Sequence, residues 1–96
     1  MTHKLQVAPS TKFKKDLKKI TKQGKDRKLL VDVIEKLQLQ EPLPKKHCDH
    51  ALIGEYQGYR ECHITPDWLL IYRVKHHHYI ELLELTRTGS HSDLFK

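Results

Sequence analysis

The sequence predicts an α+β fold: an N-terminal strand, then an antiparallel helical hairpin packed on an antiparallel β-sheet. Three observations carry this. Apolar residues recur at helical spacing up to about residue 40, and at strand spacing from residue 52 onward. Pro42 and Pro44 lie between the two regimes and stop the helical one. A run of helices followed by a run of strands belongs to α+β folds rather than to alternating α/β ones.

"HKLQVA", residues 3–8, alternates enough for a short first strand. Pro9, Ser10 and Thr11 open a helix, with Ser10 or Thr11 as its cap. Phe13, Leu17 and Ile20 form a narrow apolar stripe among lysines, and Gly24 is the stop. A second helix runs from about Asp26 to Gln40, with Leu29, Leu30, Val33, Ile34 and Leu37 on one face. The short connection makes the pair an antiparallel hairpin. "EPLPKKHCDH", residues 41–50, reads as an exposed loop. The remainder reads as strands at 52–57, 59–64, 68–75 and 79–86, with turns at "TPD" (65–67) and "HHH" (76–78). "RTGSHSDLFK" closes the chain as a loop with a helical turn.

The 96 residues suit a single domain, 1–96. No apolar run approaches the ~20 residues of a membrane span, and "MTHKLQVAPS" lacks a hydrophobic signal region. With only two cysteines, Cys48 and Cys62, a disulfide scaffold is excluded, and a cytoplasmic location is expected. The net charge of +6 is uneven. Residues 1–30 hold ten of the 18 Lys/Arg and two of the 12 acids, which leaves eight against ten in the rest. Such a patch favours polyanions or an acidic partner.

Chemistry concentrates around "RECHITPDWLLIYR", residues 60–73. Strand alternation sends Cys62 and Ile64 to the helix-covered side and His63 to the open face. Asp67 sits on the adjoining turn and Trp68 opens the next strand. His50 ends the proline-rich loop, and His91 lies in the tail. Both can reach the rim where His63 stands. Imidazoles titrate near neutral pH, so one neutral and one protonated ring supply a base and an acid. A carboxylate can orient a ring and set its tautomer. With a basic surface and aromatics, the set matches metal-free RNA cleavage by the ribose 2′-OH.

Two blocks carry a resemblance. Residues 49–72 fit D-H-x-L-x-G-x-x-x-G-Y-R-x-x-H-x-x-P-D-W-x-L-I-Y, and residues 87–95 fit R-T-G-[ST]-H-x-x-L-F. The chain thereby resembles the YafQ-type branch of the RelE/ParE toxin superfamily. The resemblance implies a RelE-like, microbial-RNase-like fold. It also implies a type II toxin: a metal-independent endoribonuclease that enters the A site of the 70S ribosome, cuts mRNA and arrests translation. A cognate antitoxin with an acidic segment would neutralise it. By the same resemblance the catalytic set is His50, His63, Asp67 and His91. Trp68 and Phe95 would stand near the mRNA and Arg87 would supply a phosphate cation. The "HHH" stretch departs from the family pattern.

No cofactor and no metal are expected. Cys48-x-His50 and the adjacent Cys62-His63 lack the spacing of structural zinc pairs, and neighbouring strand residues point to opposite faces. Two other classes compete with the nuclease: a ParE-like inhibitor of DNA gyrase and a non-catalytic RNA-binding module. Neither needs a set of acid–base groups.

Overall fold

The computed structural model describes residues 4–95. Its elements are β1 (Gln6–Pro9), α1 (Thr11–Lys22), α2 (Arg27–Gln38), β2 (His50–Ala51), β3 (Arg60–Thr65), β4 (Trp68–His77), β5 (Ile80–Gly89) and α3 (His91–Leu94). Single 3-10 turns at Lys45–His47 and Gly54–Tyr56 flank β2. The strands form one five-stranded sheet in the order β1-β5-β4-β3-β2.

Local chemistry explains the helix ends. The Ser10 hydroxyl accepts the Phe13 N–H at 2.9 Å, so Ser10 rather than Thr11 is the cap. Gly24 takes a left-handed φ of 81°, and Gly24 and Lys25 donate back to Thr21 and Ile20. The second helix ends the same way, two residues before Gln40. There Gln40 itself holds the left-handed turn (φ 57°), and Gln40 and Glu41 donate to Leu37 and Lys36.

Five expectations about the strands change. The sheet is mixed: β1 pairs in parallel with β5, Val7 opposite Leu83. The chain leaves β1 through both helices before reaching the sheet, and a long helical crossover permits parallel entry. No strand forms at 52–57, because Gly54 and Gly58 take φ of 71° and 94° and turn the chain; the two-residue β2 lies just before it, at His50–Ala51, where the loop was expected to end. "HHH" is not the turn: β4 continues to His77, and the hairpin reverses at His78 and Tyr79. β5 likewise runs on to Gly89. The first strand starts at Gln6, and His3 lies outside the described residues.

The sheet has two different faces. Phe13, Ile20, Leu30, Val33 and Leu37 of the hairpin bury Cys62, Ile64, Leu70, Tyr72, Leu83 and Leu85. The opposite face carries a smaller cluster, Leu69, Ile71 and Leu94, with Leu52, Tyr56 and Tyr59 packed around it. A register shift sets these faces. Tyr72 pairs with Leu85 but Ile71 pairs with Arg87, so one extra β5 residue intervenes. The bulge keeps Leu85 in the main core and puts Arg87 on the phase of Ile71. Burying a Leu or Ile side chain contributes about 1.5–3 kcal/mol. The smaller cluster therefore makes a firm floor for whatever stands on that face.

Candidate active site

The site grows from β3. Glu61 and His63 are two residues apart on one strand and share a face. Directly across, Ile71 and Leu69 of β4 pair with them, and both are fully buried. On the other side His50 of β2 pairs with Glu61. The tight turn at Pro66 and Asp67 and the short helix α3 then bring Asp67 and His91 to the same end.

Five side chains make one continuous chain. Glu61 is 5 % exposed, and its Oε1 lies 3.6 Å from Nε2 of both His50 and His63. The His63 and His91 rings stand edge to face with centroids 5.7 Å apart. His91 Nδ1 meets Asp67 Oδ1 at 3.1 Å. The three imidazoles predicted to converge do so, with Asp67 beside them. Glu61 is the member that sequence reasoning missed. Its signal was present, since it shares the His63 face, but a lone acid on a strand reads as a solvated residue.

The orientation of each ring follows from its partner. His50 Nδ1 is 2.6 Å from the Cys48 carbonyl. A carbonyl only accepts, so Nδ1 carries the proton and Nε2 is the atom presented to Glu61. Asp49 holds this loop: it accepts from the Tyr72 hydroxyl at 2.5 Å and from Arg60 Nε at 3.3 Å. Burial, and then the hydrogen bond to Asp49, push the Tyr72 phenol well above its usual range. His91 donates Nδ1–H to Asp67 and so presents Nε2. That hydrogen bond holds the Asp67 carboxyl below its usual range. Ser90 caps α3 through the Asp93 N–H, Lys19 bridges Asp93 at 2.9 Å, and Leu94 plugs the floor.

The expected substrate contacts fare differently. Trp68 is a correction: it is 1 % exposed and its indole N–H donates to Thr88 Oγ1 at 2.9 Å. As the first residue after the turn it belongs to the helix-side core, so it cannot lie against RNA. Arg87 is half-buried and gives Nε and Nη2 to Asp16 at 2.7 and 3.1 Å. That pairing raises its already high pKa. Phe95 is 44 % exposed and meets Tyr56 edge to face at 6.0 Å. Tyr56 in turn meets Tyr59 at 5.7 Å, and the Arg73 guanidinium lies 4.4 Å over Tyr59. Tyr56, Tyr59 and Arg73, given no role by the sequence, extend an aromatic and cationic wall away from the imidazoles.

Glu61, His63 and His91 also have ligand atoms within 4.8 Å of one another, a spacing a metal ion could use. Cys62 contributes to no such set. It faces the main core, and burial pushes its thiol up to about 12, so no thiolate forms near neutral pH. Among the described residues no helix is long and apolar enough to cross a membrane.

Comparison with known proteins bears on the family and the fold. The mRNA interferase toxin YafQ of Escherichia coli K12 is 39% identical over 89 residues, 90% of each chain. A metal-bound toxin from Helicobacter pylori superposes with a TM-score of 0.86 at 46% identity, covering 95% of this chain and 99% of that one. The toxin of the E. coli DinJ–YafQ toxin–antitoxin complex superposes with a TM-score of 0.84 at 36% identity, covering 97% and 99%. The family described as "Bacterial toxin of type II toxin-antitoxin system, YafQ" matches residues 5–96, and the chain belongs to it.

Proposed function

We propose that the protein is the toxin of a toxin–antitoxin pair and an endoribonuclease that cuts mRNA in the ribosomal A site. The observation that carries this reading is the convergence of His63 and His91 at 5.7 Å over an apolar floor, each beside its own carboxylate. In this reading His63 is the base and His91 the acid. His63 takes the proton of the ribose 2′-OH as that oxygen bonds to the adjacent phosphorus. The P–O5′ bond breaks, and protonated His91 delivers its Nε2 proton to the leaving 5′-oxygen. The products are a 2′,3′-cyclic phosphate and a 5′-hydroxyl.

The other groups support those two. Asp67 fixes the His91 ring, and Glu61 spans His50 and His63 so that both rings keep their places. Arg87 uses two of its five N–H groups on Asp16 and has Tyr56 as a further hydrogen-bonding neighbour, and its remaining N–H groups are donors of the kind a phosphate oxygen accepts. Phe95 and Tyr56 offer ring surface for a neighbouring base. The exposed lysines of α1 suit ribosomal RNA or the acidic segment of a cognate antitoxin, and a ribosomal target places the protein in the cytoplasm. A transition-metal ion held by Glu61, His63 and His91 would remove both imidazoles from proton transfer and inhibit cleavage.

The test adds the protein to translating ribosomes and maps mRNA ends. New ends at A-site codons carrying a 2′,3′-cyclic phosphate, lost in His91→Ala, support the proposal. Translation arrest that survives His91→Ala, with intact mRNA, would overturn it in favour of a binding toxin.

A further inference from the structure

We propose that His47, which has no place in the acid–base set, is a positioning residue for His63. His47 is 8 % exposed, so it is a buried imidazole outside the active site. Its Nδ1 lies 2.6 Å from the backbone carbonyl of His63. The carbonyl only accepts, so Nδ1–H donates, in either the neutral or the charged ring.

The need for this bond follows from the sheet. β2 is two residues long and pairs only with Glu61 and Arg60, so the outer edge of β3 loses its strand neighbour before His63. On the inner edge the ladder with β4 shifts register between His63 and Thr65. A bulge leaves the backbone locally free to twist. His63 thus stands on the last regular rung of the β4 ladder, opposite Leu69, with no strand neighbour on its outer edge. The His47 side chain takes the place of the missing strand and pins the His63 peptide.

The loop that carries His47 reaches a second imidazole too. Cys48 turns the chain in a left-handed conformation (φ 47°), and its carbonyl takes the Nδ1–H of His50. Residues 47 and 48 therefore set two of the three rings, one through its backbone and one through its side chain. A displacement of His63 changes its 5.7 Å approach to His91, on which proton transfer at one phosphate depends.

The kinetic part of this inference rests on the nuclease reading; the structural part does not. Two variants separate the donor from the ring: His47→Phe keeps a ring without the donor, and His47→Asn keeps an N–H donor without the ring. The expected result for His47→Phe is a fall of roughly 10- to 100-fold in the single-turnover cleavage rate, with half-saturation unchanged. His47→Asn should recover most of that loss. In the free protein, the nuclear Overhauser contact between the His63 and His91 ring protons should vanish in His47→Phe and return in His47→Asn. Equal rates for His47→Phe and the parent, an unchanged ring contact, or equal damage in both variants would each overturn the assignment. Failure of the parent to cut mRNA would sink the nuclease reading alone, because the ring contact still decides the role of His47.

Discussion

Arg87 and Asp16 form a two-point pair across the sheet edge: Nε and Nη2 of the guanidinium meet the two carboxylate oxygens at 2.7 and 3.1 Å. Asp16 also accepts the Thr88 N–H at 3.2 Å. It is the one acid in a helix that carries six lysines, Lys12, Lys14, Lys15, Lys18, Lys19 and Lys22. Both side chains are half-buried or deeper, so the pair is screened less than a surface ion pair. We expect Asp16→Asn to cost about 2 kcal/mol, as an ion pair with two hydrogen bonds becomes one bond from the guanidinium to an uncharged amide oxygen. Urea denaturation gives that number. The same variant should slow RNA cleavage, since Arg87 would lose the contact that aims it.

Asp67 is fully exposed, yet the hydrogen bond from His91 holds its carboxyl below the usual range. The sign is that of a depressed acid. The His91 contact is present at and above the ordinary carboxylate pKa of ~3.9 and is lost as pH falls through the lowered value. Carbon-13 titration of the Asp67 carboxyl should show a midpoint below that of a free aspartate. In His91→Ala the midpoint should rise toward the ordinary value, since the imidazole bond is the largest cause of the lowering while the backbone N–H of residue 91 still donates.

The Trp68 indole is enclosed and bonded to Thr88, whose own hydroxyl donates to the Leu69 carbonyl at 2.7 Å. Trp68→Phe leaves Thr88 without its donor partner and opens space in the core. The expected loss is roughly 2 kcal/mol of stability by thermal unfolding. Cleavage by the protein that remains folded should be unchanged, because the ring touches no substrate.

Gln40 holds a left-handed φ of 57° at the end of α2, a conformation that glycine adopts without Cβ crowding. Its side chain is exposed. Gln40→Gly should stabilise the protein by about 0.5–1 kcal/mol, read as a rise in melting temperature with cleavage unaffected.

Glu61 is buried between two imidazoles, and among the described residues its ion-pair partners are those two histidines. Glu61→Gln preserves its shape and removes its charge. We expect a fall in single-turnover cleavage of at least roughly tenfold, with folding retained, since His50 and His63 would lose the anion that holds them. Circular dichroism beside the kinetics separates the two effects.

Much of this was legible in the amino-acid order itself. Apolar spacing determined the helical hairpin, Ser10 and Gly24 determined the limits of α1, and alternation placed His63 on the face away from Cys62 and Ile64. Those signals are local, because helix and strand periods and capping bonds involve residues within a few positions of each other. Only the tertiary structure decided the rest. It paired β1 in parallel with β5, replaced the strand expected at 52–57 by a two-residue strand at His50–Ala51, and bulged β5 so that Arg87 turns from the core. It also buried Trp68 and set Glu61 between His50 and His63. Each of those outcomes depends on which distant segment arrives as a neighbour. Burial and pairing are decided by packing across the sheet, and that is a property of the folded whole.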